Sequence, residues 1–231
     1  RQRAFLSGHA RFVGEAVAVV AADTQDIAQQ ALELIDVRWK VLETFGDAET
    51  NLRTDNRQIH ATGSVCGFGG SQPADVPTWE ARVGDLNAGF AEADHIIEGR
   101  YAMGRQVTLP IETHVCTAMW KGDDLHLWDC QQSVFAARTT IADTLNMPEE
   151  KVHIYADYIG GGFGGKCLDY PDEDLYQLYA AILAKKTGKP VRYEFTLSEE
   201  MAAGDSRHPF IFETKWGVKN DGTITAQYWN V

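Results

Sequence analysis

Cysteine is scarce in this chain. There are four, Cys66, Cys116, Cys130 and Cys167, and no two form a C-x-x-C pair or stand in a Cys/His cluster. That excludes the usual ligand spacings of zinc and iron–sulfur sites. An even count would allow two disulfides, but in a chain of this size buried thiols are the better default. Electrons from any redox chemistry must therefore leave through another domain or subunit. No apolar run approaches the length of a membrane span, and no signal-peptide pattern precedes Phe12. Positive charge is also short: 21 Lys and Arg against 33 Asp and Glu leave a net charge of −12. This balance argues against nucleic acid and against anionic membrane surfaces as partners. What remains, with 44% hydrophobic residues over 231 positions, is one or two globular domains, expected in the cytoplasm.

Periodicity divides the chain. Residues 16–22 (AVAVVAA) and 37–42 (VRWKVL) read as strands around a helix at 24–35, capped by Asp23 or Thr24, with Ile27, Ala31, Leu34 and Ile35 inward. That is a β-α-β unit. Residues 43–82 contain scattered glycines and prolines with little apolar periodicity, and read as an extended linker. A short helix or turn follows at 84–93. Residues 95–103, 115–120 and 125–130 read as three strands of one sheet. Ser133 opens a helix through Asn146, and residues 210–218 and 223–231 flank an Asn-Asp-Gly turn as a hairpin.

The most distinctive stretch is 160–166, GGGFGGK, with five glycines around one phenylalanine. So many glycines cost backbone entropy, and they suit a chain that must approach a ligand closely or expose a row of N–H groups to an anion. A strand at 151–158 precedes it. A helix at 172–187 follows, with acids first, lysines last and Gly188 beyond, and then a strand at 191–195. A glycine loop between a strand and a helix is a common phosphate site. Three readings compete. A ligand-free glycine turn is the plainest. A Walker loop is the second, but Cys167 occupies its Ser/Thr position and residues 168–171 separate it from the helix.

The third rests on resemblance. The segment 160–166 is similar to the pterin-contacting loop of the xanthine dehydrogenase and aldehyde oxidase family of molybdenum hydroxylases. In the same order, residues 11–24 (RFVGEAVAVVAADT), 98–114 (EGRYAMGRQVTLPIETH) and 204–210 (GDSRHPF) resemble segments of that family. The resemblance implies an α+β fold. The end of an α/β-hammerhead-like small domain (1–45) and a linker (46–82) would precede the first part of a molybdopterin-binding domain (83–231). It implies an oxidoreductase that oxidises an aldehyde, an N-heteroaromatic or a related substrate with water-derived oxygen. Such an enzyme would be inactive without its remaining parts.

By the same resemblance, Gln106 lies near the metal and bonds an oxygen ligand of it, and Gly161, Gly162, Phe163, Gly164 and Gly165 contact the cofactor. Cys167 falls where purine oxidisers carry a substrate-orienting glutamate, which makes xanthine a poor candidate. The implied cofactor is molybdenum on molybdopterin or its cytosine dinucleotide. A [2Fe-2S] cluster and FAD are expected on partner domains or subunits, and the general-base glutamate beyond Val231. The chain would be either a fragment of a longer enzyme or one subunit of a naturally split one. A non-catalytic module of the same family is a further alternative.

Other residues carry weaker signals. Glu112 and His114, two apart on an expected strand, share a face, and a structural hydrogen-bonded pair is favoured over catalysis. Arg207 and His208 could contact an anion or fix a turn.

Overall fold

The computed structural model describes residues 6, 8–44, 80–167 and 176–231, and backbone alone at 66–67 and 70–71. It divides into two compact units, one of residues 1–39 with 107–207 and one of 40–106 with 208–231.

The first unit is built on a four-stranded sheet. Its order is β7 (Val152–Tyr155), β6 (Asp124–Asp129), β5 (Val115–Lys121) and β8 (Val191–Glu194). β5 pairs antiparallel with β6 and β8, whereas β6 and β7 run parallel. The parallel pair needs a crossover, and α3 (Val134–Leu145) provides it. Alternation along β5 and β6 sends Cys116, Ala118, Leu125 and Leu127 into the core, all at most 1% exposed. Each buried leucine contributes roughly 1.5–3 kcal/mol by leaving water. Small residues in β5 let α4 (Tyr176–Thr187) lie close, burying Leu178, Ala180, Ala181 and Ala184 against it. α3 ends on Asn146 in the left-handed region, φ 53°. Ser133 sits at its start as expected but makes no side-chain capping bond. A capping box of Thr196 and Glu199 opens α5 (Leu197–Ala203).

The second unit centres on an antiparallel sheet ordered β11 (Ile224–Asn230), β10 (Phe210–Val218), β3 (His95–Met103). The expected hairpin is present, its turn closed by Lys219 N–H to Thr223 O at 2.8 Å. The short helix α2 (Leu86–Ala91), capped by Asp85, packs on β11.

Several expectations are corrected. Strand 95–103 does not join 115–120 and 125–130; it pairs with β10, and β5 and β6 belong to the other sheet. Alternation identifies a strand but not its partner. Residues 16–22 and 37–42 form no ladder among the described residues, because an extended run becomes a strand only against another backbone. Between them α1 (Gln25–Glu33) forms, with Thr24 Oγ1 accepting from Ile27 N–H. Its apolar face is not inward: Ile27 is 51% and Leu34 86% exposed. Within the expected linker, β1 (Cys66–Gly67) and β2 (Gly70–Ser71) pair antiparallel. Residues 172–175, the expected first turn of α4, lie outside the described residues.

Candidate functional site

The glycine loop follows β7 and is tied down from one side. Gly160 N–H donates to Glu112 Oε2 at 2.7 Å, and Glu112 N–H donates back to Gly160 O at 3.3 Å. Lys166, at the other end of the loop, donates from Nζ to Glu112 O at 2.7 Å and to Glu112 Oε2 at 3.1 Å. The lysine side chain is 0% exposed and the glutamate 36%. Partial burial alone would raise the Glu112 carboxyl, but the bonds from Gly160 and Lys166 outweigh it and hold it below the usual carboxylate range. A Walker lysine would reach outward to phosphate. Lys166 is instead turned inward and spent on Glu112.

A second tie runs through His114. Its Nε2 donates to Gly165 O at 2.6 Å, since a carbonyl can only accept. Its Nδ1 and its backbone N–H both meet the Glu200 carboxylate at 2.9 Å. Beside it, the buried Asp129 accepts from Tyr176 OH at 2.9 Å and from Gln177 Nε2 at 3.1 Å. Burial pushes the Asp129 carboxyl up to about 6, against the opposing pull of those bonds.

Three of the loop's amides are left over. Among the described residues, the N–H groups of Gly161, Gly162 and Phe163 meet no acceptor, although Gly162 is buried. Thr108 Oγ1, 2.5 Å from where a Cβ on Gly165 would stand, is buried without a partner among the described residues. Phe163 itself has φ 53° and is 76% exposed, a conformation that costs a bulky residue of order 1 kcal/mol or more. Strain, unpaired amides and an orphaned hydroxyl converge on one short loop. This is a fit for an oxygen-rich, anionic group lying against backbone.

The remaining predicted residues fall as follows. Gln106 is exposed on the two-residue strand β4 (Gln106–Val107), and Cys167 is half-buried directly after the loop. Glu112 and His114 precede β5 and sit on no strand; they do not bond to each other, and each holds a different part of the loop. Arg207 and His208 are exposed, and their side chains bond to no described residue. Cys116 and Cys130 are free, buried thiols. No group of three or more His, Cys, Asp or Glu that could hold a metal occurs among the described residues. None of the described helices is long and apolar enough to cross a membrane. Sequence reasoning missed Gln132, Glu200 and Thr108. Only the polar pair Gln131-Gln132 ahead of an apolar helix offered a signal.

Comparison with known proteins places these features. Residues 69–231 match the family model for the molybdopterin cofactor-binding domain, and residues 1–43 that for the a/b hammerhead domain of aldehyde oxidase and xanthine dehydrogenase. The chain is 34% identical over 217 residues to a probable xanthine dehydrogenase component of Bacillus subtilis, covering 94% of this chain and 27% of that protein. It is 31% identical to the nicotinate dehydrogenase large molybdopterin subunit of Eubacterium barkeri, covering 94% of this chain and 48% of that one. Among solved structures, quinoline 2-oxidoreductase from Pseudomonas putida 86 superposes with a TM-score of 0.80 at 25% identity, over 97% of this chain and 27% of that one. The chain thus spans about a quarter of the length of the first relatives it matches. With the family model covering most of its length, this chain belongs to the molybdopterin cofactor-binding domain family of xanthine dehydrogenase and aldehyde oxidase-type enzymes.

Proposed function

We propose that the chain is the cofactor-cradling portion of a molybdenum hydroxylase that oxidises an aldehyde, an N-heteroaromatic or a related substrate with oxygen taken from water. The observation that carries this reading is the loop 160–166, whose amides at Gly161, Gly162 and Phe163 are free of acceptors among the described residues while the rest of the loop is tied. When bound, a molybdenum–pterin cofactor supplies the two-electron redox and oxygen-transfer chemistry. This chain's residues supply the wall: backbone of Gly161, Gly162, Phe163, Gly164 and Gly165, with donors fixed in advance so that none must reorganise. Gln106, the family's glutamine by its motif, is a further cofactor contact. Cys167, adjoining the loop, lines the substrate side; a thiol there cannot make the charged hydrogen bonds that a purine needs, which makes xanthine a poor substrate.

In this reading residues 1–45 belong to the hammerhead domain, 46–82 are linker and 83–231 are the first part of the cofactor domain. The general-base carboxylate comes from outside this sequence. So do a [2Fe-2S] cluster and FAD, carried on partner domains or subunits of a multi-subunit cytoplasmic complex. The cofactor is molybdopterin or its cytosine dinucleotide. The competing nucleotide-triphosphate reading is disfavoured by Lys166, which is buried on Glu112.

The deciding experiment is molybdenum and iron analysis of the protein purified under mild conditions from its native host, with the pterin identified after release. Molybdenum near one atom per chain, with pterin, is expected. A preparation with neither, but with saturable Mg-ATP binding, would overturn the reading.

A further inference from the structure

We infer that Gln132, in the short connection between β6 and α3, is the positioning residue that sets the shape of the cofactor loop. Its Oε1 accepts from Gly164 N–H at 3.0 Å and from Lys166 N–H at 3.2 Å. Its own backbone N–H donates to Lys166 O at 2.8 Å. Both side-chain contacts are backbone donors, so the atom facing the loop must be the oxygen, and the amide's orientation follows from chemistry alone. The fit is also steric. A Cβ at Gly162 would overlap Gln132 Oε1 and Cδ, so a side chain there would push the Gln132 amide off the loop.

The two amides that Gln132 holds lie just beyond Phe163, and the three that meet no acceptor among the described residues are Gly161, Gly162 and Phe163. The chain reverses within this span, Gly165 N–H closing on Gly162 O at 2.8 Å. Gln132 therefore engages the side of the turn that is not offered to a ligand, and fixes the direction of the side that is. It also explains how Phe163 keeps φ 53°: strained backbone persists only where its surroundings over-determine it. Gln132 is well anchored for this task. Asp129 and Cys130 before it are buried, and the buried Gln131 accepts from Ser133 N–H at 3.2 Å. Glu112 and His114 tie the loop at Gly160, Lys166 and Gly165, and Gln132 adds a hold on Gly164 beside its own bonds to Lys166.

This inference rests on the reading of the loop as a molybdopterin contact, and the test separates the two. Hydrogen exchange of the segment 160–167 and molybdenum content would be measured on the full-length protein carrying Gln132→Leu or Gln132→Glu. Leucine removes the acceptor at nearly the same size. Exchange at 160–167 should quicken about tenfold or more, the worth of two lost hydrogen bonds, and molybdenum content should fall, while β5 and β6 keep their protection. Glutamate keeps an oxygen facing both amides and should restore slow exchange. Should leucine disturb β5 and β6, Gln132→Asn makes the same comparison by withdrawing the amide one methylene. Unchanged exchange in Gln132→Leu, or exchange equally fast in Gln132→Glu, would overturn the positioning role. Faster exchange with undiminished molybdenum would uphold the hold on the loop and overturn the cofactor reading instead.

Discussion

His114 Nδ1 stands 2.9 Å from both carboxylate oxygens of Glu200, with the two side chains 1% and 0% exposed, and the same ring's Nε2 meets Gly165 O at 2.6 Å. Glu200 lies on α5, 35 positions after Gly165 in sequence, so this contact carries the position of a helix directly into the loop. Glu200→Ala strips the partner from a buried imidazole and from the His114 backbone N–H together. Breaking such a pair costs about 3–5 kcal/mol, and the urea midpoint should drop accordingly. Glu200→Gln keeps an acceptor for the backbone N–H and should lose less. Equal losses would mean that the carboxylate itself, and not side-chain volume or a neutral acceptor, is what α5 contributes.

The Glu112–Lys166 pair makes a different demand. Lys166 is fully enclosed, and among the described residues its counter-charge within bonding reach is Glu112. Glu112→Gln preserves an oxygen for Gly160 N–H yet leaves an ammonium buried without a negative partner, at a cost of about 3 kcal/mol. Lys166→Met, which removes the charge as well, should be the milder change despite being chemically larger. Because Glu112 is held below its ordinary range, its contribution is present above the unfolded carboxylate range. It is lost as pH falls through the lower folded value. Denaturant titrations of wild type and Glu112→Gln should therefore converge in acid.

The loop and most of the elements around it could be read from the sequence for a physical reason. Glycine density, alternation in β5, β6 and β10, and the stripe and terminal lysines of α4 are local properties. The partners were not local. Glu200 and Gln132 reach the loop only because the fold brings α5 and the β6–α3 connection beneath it, and neither residue type is unusual where it stands. His114 illustrates the limit most clearly. Its spacing from Glu112 suggested a shared strand face, but the chain turns before β5, and the two side chains grip different parts of the loop. The same gap explains β3, whose period was legible and whose partner, β10, lies more than 100 residues away.

Asp129 should impose a pH dependence of the opposite sign. Its carboxyl is pushed up to about 6 from an ordinary 3.8 by burial, so the folded state holds the proton more tightly than the unfolded one. Stability is then greatest in mild acid and declines as pH rises through about 4 to 6, by up to about 3 kcal/mol. Asp129→Asn should flatten that decline. Gln177 Oε1 is buried without a partner among the described residues, so a flip of the Gln177 amide would let it accept from the new Asn Nδ2 while Tyr176 OH still donates to Asn Oδ1. A decline unchanged in Asp129→Asn would assign the titration to another group.

Gly165→Ala offers a test of how tightly the loop is seated. The new Cβ would stand 2.5 Å from Thr108 Oγ1 and 3.3 Å from Gly162 O. The hydroxyl cannot stay where it is, and the loop must lift or Thr108 must rotate. A cost of about 1–3 kcal/mol is expected for such overpacking. Thr108→Ala removes the obstruction together with a buried hydroxyl that has no partner among the described residues, so alone it should be nearly neutral for stability. Combined with Gly165→Ala it should recover most of the loss, with a coupling of about 1 kcal/mol in a double-mutant cycle. Strict additivity would mean that the clash is absorbed elsewhere in the loop. Molybdenum content adds a second readout: if Thr108→Ala is neutral for stability yet loses cofactor, its hydroxyl is a ligand contact as well as a neighbour of Gly165.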